Sequence, residues 1–248
     1  MKYHNKLIVL MLGNVLLILT SIQCSAVSQD ASAIEERTLT FGPAVQLFNG
    51  KDLEGWTAYF QDGSQDPSKA FSVRDGYMVC AGNPIGYVQT EAKYESYQLV
   101  IEWRFDPTKG AGNSGVLLRV TGPDVVWPRS LEAQLHSGNA GDIWNIGKVP
   151  GSFAKSRTDG RRTKKAHSAN EKPLGEWNQY TITFDEGNLT LDVNGVVQNT
   201  ATKCQVLPGR IGLQSEGSWI EFRRVELRPI VGRNASPGVS KEVPVSTE

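Results

Sequence analysis

The stretch EWNQYTITFDEGNLTLDVNGVVQNTAT, residues 176–202, limits the fold more than any other part of the chain. Runs of Thr, Val, Ile, Leu and aromatic residues meet at Glu186-Gly187 and again at Asn194-Gly195. Such residues favour the pleated strand. Asn-Gly between two of these runs is the strongest short hairpin signal, because a type I′ turn needs positive φ at both central positions. The stretch therefore reads as an antiparallel meander. Asp75-Gly76 divides FSVRDGYMVCAG in the same way, and YQLVIEWRFD, SGVLLRV, GRIGLQSEG and WIEFRRVELRPI extend the series. No segment sustains the apolar spacing of a surface helix, and there is no internal repeat. Many short strands with turn signals predict an all-β fold, an antiparallel two-sheet jelly-roll sandwich.

The ends of the 248-residue chain read differently. Lys2 and Lys6 precede an apolar run, Leu7 to Leu19, that closes on small residues before Ala26. This is the pattern of a secretory signal peptide, expected over residues 1–26 and cleaved after Ala26, which would export the protein to the periplasm or beyond. Acylation of Cys24 is the alternative, but Gln23 and Ile22 fit a lipoprotein site poorly. The run is shorter than the roughly 20 residues of a membrane span, and no second long apolar run follows. Residues 27–44 read as a polar linker, 45–230 as one folded body and 231–248 as a flexible tail. Export would favour disulfides. Cys80 and Cys204 are then either one disulfide or two separately buried thiols. Lys+Arg 26 balance Asp+Glu 26, so no long-range attraction to nucleic acid or anionic membranes is expected. The basic segment 155–173, which includes His167, lacks the interleaved aromatics of a single-strand nucleic-acid binder and reads as a solvated loop.

Chemistry is suggested by the segment RSLEAQLHSGNAGDIWNIG, residues 129–147. Successive strand side chains point to opposite faces. Glu132, Gln134 and His136 therefore oppose Leu131, Ala133 and Leu135. Glu102 and Arg104 oppose Ile101 and Trp103 in the same way, Asn113 and Arg119 share a side of another strand, and Gln214 and Glu216 share a side of a third. A solvated sheet face would alternate similarly. These polar types, however, build fixed hydrogen-bond networks. With Trp127 and Trp144 close by, they suit a carbohydrate site, rings packing on sugar C–H groups and polar groups on hydroxyls. Phosphate loops, dinucleotide glycine fingerprints, zinc helices and serine-hydrolase elbows are absent. Glu132, His136 and Asp142 are candidate ligands for a divalent metal, with undiagnostic spacing; no cofactor is otherwise indicated. The E-x-D-x-x-E pattern of jelly-roll glucanases is missing, since Gln134 and Ser137 stand where its second and third acids belong.

In order along the chain, LFNGKDLEGWTAYF, FSVRDGYMVCAG, YQLVIEWRF, NSGVLLR, LEAQL, EKPLGEWNQYTI, LDVNG, GRIGLQSEG and IEFRRVELRPI resemble the 3-keto-disaccharide hydrolase domain family. The resemblance spans about Val45 to Ile230. It implies a concanavalin A-like jelly roll of the lectin and glucanase type, an exported bacterial protein, and cleavage of glycosides whose glucosyl unit carries a 3-keto group. A ketone at C3 acidifies the C2 proton, so elimination of the aglycone followed by hydration needs a base, an enolate stabiliser and an acid rather than a nucleophile pair. On this reading Glu132 or Glu102 is the base, Arg104 or a metal the stabiliser and His136 the acid. Asn113, Arg119 and Gln134 would bind hydroxyls. Ser137 and Glu216 depart from relatives, which often carry Asp and His there. A non-catalytic carbohydrate-binding module and a cell-surface interaction domain are the alternatives. The oligomeric state is not readable.

Overall fold

Turn chemistry sets the strand order. In the computed structural model, which describes residues 37–235, Asp75 and Gly76 have φ of 51° and 81°, and Asn194 and Gly195 have 50° and 84°, as type I′ hairpins require. The strands are β1 (Arg37–Phe41), β2 (Val45–Gln46), β3 (Trp56–Phe60), β4 (Phe71–Arg74), β5 (Tyr77–Cys80), β6 (Gly86–Thr90), β7 (Tyr97–Phe105), β8 (Gly115–Thr121) and β9 (Arg129–Gln134). They continue as β10 (Ile143–Ile146), β11 (Ser152–Phe153), β12 (Thr158–Asp159), β13 (Arg162–Thr163), β14 (Asn178–Asp185), β15 (Asn188–Val193), β16 (Val196–Thr202), β17 (Arg210–Ser215) and β18 (Ile220–Ala235). The front sheet runs β12-β13-β10-β9-β8-β17-β6-β3; the back sheet runs β11-β16-β15-β14-β7-β18-β5-β4, with β1 and β2 also on β18. All of these pairings are antiparallel, as expected of a concanavalin A-like sandwich.

Between the sheets, Leu99, Ile101 and Trp103 of β7 and Tyr180, Ile182 and Phe184 of β14 meet Val116, Leu118, Leu131, Ala133, Ile211 and Leu213 of the front sheet. Each large side chain buried in this way contributes roughly 1.5–3 kcal/mol. The outward faces of the two sheets differ. In the back sheet β14 and β15 alternate buried with more exposed residues, as a solvated face should. In the front sheet β6, β8, β9 and β17 are buried on both faces almost throughout. A second apolar cluster, Tyr87, Leu117, Val120 and Ile146, lies on that outer face with Tyr59 beside it.

Three expectations change. Strand β1 pairs with the end of β18, Arg37 opposite Ala235 and Phe41 opposite Ile230, so the last part of the expected linker and the first part of the expected tail are sheet. Cys80 and Cys204 are free buried thiols. The first lies in the core with its Sγ 3.8 Å from the Gln214 carbonyl, the second near the Thr202 carbonyl and Gly151, so they occupy different parts of the sandwich. The basic segment is not a free loop. Its hairpin β12–β13 extends the front sheet beside β10, and Ala166 N–H donates to the Gln198 carbonyl of β16. The expected signal peptide, Cys24 and residues 236–248 lie outside the described residues. Among the described residues no helix is long and apolar enough to cross a membrane.

Candidate active site

Strand β9 carries Glu132 at the middle of the front sheet, opposite Trp144 of β10 and Leu117 of β8. Its neighbours Leu131 and Ala133 fill the core, so the carboxyl points outward; yet Glu132 is only 5% exposed. Gly115 makes room for it. A Cβ there would lie 2.5 Å from Glu132 Oε1 and 2.3 Å from Gln214 Oε1, which places the two side chains together above β8. Glu132 Oε1 and both polar atoms of the Gln214 amide are buried without a hydrogen-bond partner in the chain, as are Gln89 Oε1 and Asn113 Oδ1. Buried polar atoms are normally satisfied, and these keep hydrogen-bonding capacity that the chain does not use.

Burial pushes the Glu132 carboxyl up to about 8, and the charge of nearby Glu216 adds to the rise; the Arg161 charge pulls it partly back. Glu216, just past the end of β17, is itself raised by burial and opposed by Arg161. The Arg161 guanidinium lies 5.2 Å from the centre of the Trp144 ring and that of Arg162 5.8 Å. On the other flank, the loop after β8 bends over the face. Asp124 Oδ1 accepts hydrogen bonds from the Tyr87 hydroxyl and Gln89 Nε2, both at 3.1 Å. One sheet face thus holds a proton-poised carboxyl, a second acid, a cation, an aromatic ring and unspent amides.

The sequence matches the 3-keto-alpha-glucoside-1,2-lyase-like domain over residues 43–228. The chain belongs to that family. Membership makes it a carbohydrate-active domain. Solved structures of like fold include a candidate glycosyl hydrolase from Parabacteroides distasonis, 22% identical with a TM-score of 0.55 over 76% of this chain and 94% of that one. The Bacillus licheniformis β-glucanase is 11% identical, with a TM-score of 0.52 over 77% and 99%. A carbohydrate-binding module from Bacillus subtilis is 9% identical, with a TM-score of 0.50 over 69% and 94%. At such identities these likenesses establish the fold. No curated protein sequence gives a significant match.

In this lyase-like domain Glu132, Trp144, Gln134, Asn113 and Glu216 stay at or beside the outer face of the front sheet, but other expected site residues do not. Glu102 and Arg104 belong to β7 in the back sheet and face away from Glu132. Glu102 pairs with Arg223 and, at 3.9 Å, with Arg224. Arg104 pairs with Glu221 at 2.7 Å and stacks 4.5 Å from the Trp177 ring centre. Arg119 is turned by a positive φ of 52° within a register shift of β8. It is buried against the Phe184 ring, with its guanidinium carbon 3.5 Å from the centroid, and donates to the carbonyls of Glu95, Gln205 and Glu186. It ties three loops together from inside the fold. Gln134 Oε1 accepts the N–H groups of Leu135 and His136, both at 2.8 Å, which ends the strand. His136 is consequently exposed, its Nδ1 2.9 Å from the Ser137 carbonyl and from Asn139 Nδ2. Ser137 Oγ accepts Gly112 N–H. Trp127 is 40% exposed.

The suggested metal ligands do not fit a metal. Asp142 Oδ2 is paired with Arg162 at 2.6 Å and its Oδ1 accepts Lys165 N–H at 2.7 Å, so neither oxygen is available. Among the described residues no three His, Cys, Asp or Glu side chains gather as a metal site. Asp142 instead ties the basic segment down beside β10, which brings Arg161 over Trp144. Arg161 is the functional candidate that sequence reasoning missed. Its signal was lost because a basic, aliphatic-poor segment looks like a solvated loop unless its docking site is known.

Proposed function

We propose that this chain is an exported enzyme that cleaves 3-keto-glucosides by elimination and hydration, with Glu132 as the base. The observation that carries this reading is the Glu132 carboxyl itself, buried, raised to about 8 and with one oxygen unpartnered. A general base works best with a pKa near the operating pH. Glu132 would take the C2 proton, and the C–H electron pair would move into an enolate with charge on the C3 oxygen. Arg161, rather than Arg104, would stabilise that charge. The pair then returns to form the C1–C2 double bond as the C1–O bond breaks, and the departing oxygen takes the proton that Glu132 accepted from C2, rather than one from His136. Water adds at C1 and a proton returns to C2, so one glycoside and one water give a 3-keto-glucose and a free aglycone, with no oxidant or reductant consumed. Trp144 would pack on the sugar face, while Gln214, Gln89 and Asn113 would meet its hydroxyls. The absence of a second carboxylate on β9 supports elimination over the two-acid glucanase route.

The test uses a 3-keto-glucoside deuterated at C2, the same compound with hydrogen, and the unoxidised parent. The reading predicts aglycone release from the keto forms alone, several-fold slower from the deuterated one. Release from the parent at a similar rate, or binding without turnover, would contradict it.

A further inference from the structure

The chain that leaves Glu216 runs directly into a second recess of about 350 Å3, walled on one side by Gly217, Ser218 and Trp219 and on the other by Lys109, Gly110 and Ala111 of the loop after β7. Its wall touches the strand end that carries Asn113, because Ser218 Oγ accepts Asn113 N–H at 2.9 Å, and Asn113 Oδ1 is one of the buried unpartnered atoms. The charged side chain in its lining is a cation, Lys109. The Trp219 indole N–H is buried with no partner in the chain. Lys109 Nζ lies 5.9 Å and the Arg74 guanidinium carbon 5.2 Å from the centre of the Trp219 ring. An indole N–H and an ammonium group only donate hydrogen bonds. None of the residues lining the recess is acidic. The nearby carboxylate of Asp106 accepts from the Thr108 N–H and hydroxyl at 2.7 Å each and also feels the Lys109 charge.

Gly217, which follows Glu216 in the chain, lines the recess, so an aglycone that leaves C1 on the Glu216 side of Glu132 extends toward it. We propose that the recess is the aglycone subsite and that it selects an aglycone bearing an anionic group, a phosphate or a carboxylate, held by Lys109 and the Trp219 indole N–H. The placement rests on the elimination reading; the preference for an anion rests on Lys109 and the Trp219 indole N–H.

The experiment is calorimetric titration of the full chain with glucose, glucose 6-phosphate and glucuronate, the free forms of a neutral, a phosphorylated and a carboxylated aglycone. At least one anionic sugar should bind about tenfold tighter than glucose, the size of one charge-assisted contact. Which of the two does so identifies the group. Lys109→Glu should erase the difference, and Trp219→Phe, which keeps a ring but removes the N–H, should reduce it severalfold. Equal binding of all three sugars, or a difference that survives Lys109→Glu, would overturn the proposal. If no 3-keto-glucoside is turned over while the anion preference and its loss in Lys109→Glu persist, the elimination reading falls and the anion site stands.

Discussion

Glu132 occupies space that a side chain at Gly115 would need: a Cβ on residue 115 would lie 2.5 Å from Glu132 Oε1. The two residues sit on neighbouring strands, and the smaller creates the niche for the larger. Gly115 has no positive φ among the backbone exceptions, so alanine there meets only a crowding problem. The clashing atoms are Gln214 Oε1, Glu132 Oε1 and, at 2.8 Å, Glu132 Cγ, so both buried side chains must shift. Gly115→Ala should therefore cost about 1–3 kcal/mol of stability and lower kcat/KM by about 100-fold, because displacements of about 1 Å have that effect. Circular dichroism melts alongside kinetics check both halves.

Glu216 and Arg161 act on Glu132 in opposite directions. The rate should rise with pH along a limb set by the Glu132 carboxyl, near 8 in the free enzyme. Glu216→Gln removes a repelling charge and should shift that limb to lower pH. Arg161→Met removes an attracting one and should shift it to higher pH. The position of the limb in kcat/KM profiles is the readout.

A carboxyl raised from 4.5 in the unfolded chain to about 8 in the folded one binds more protons when folded between those values. Stability contributed by this group is therefore lost as pH rises from about 4.5 to about 8. Above that window the buried charge costs on the order of 3–5 kcal/mol. Glu132→Gln should leave stability near that of the parent at pH 5 and increase it by a few kcal/mol at pH 8.5 in denaturant unfolding. An equal difference at both pH values would argue against a buried neutral carboxyl.

Cys80 and Cys204 are unbonded and buried, and burial raises both thiols to about 11. A disulfide-exchange reagent should leave both unmodified in the folded protein and modify both after denaturation. A reductant should not change the unfolding midpoint.

What was legible in the sequence follows the range of the interactions. Hairpins at Asp75-Gly76 and Asn194-Gly195 are local, and their residues alone require the turns. Alternation correctly separates Leu131 from Glu132, because the pleat is local too. It does not say which sheet a strand joins, and so Glu102 and Arg104, with the same pattern as Glu132, face the opposite side of the sandwich. Arg119 misleads because a register shift in β8 breaks strict alternation. Arg161 reaches the site through Asp142, which is 20 residues from its Arg162 partner and legible only in three dimensions. The separation of the two thiols is non-local in the same sense.

The most direct measurement is aglycone release from a 3-keto-glucoside by Glu132→Gln at pH 8, with folding verified. Gln matches Glu in shape but cannot accept a proton from carbon. Rates should fall to about 0.1–1% of the parent, the contribution of one positioned base. Full activity in this variant would contradict the assignment of Glu132 as the base.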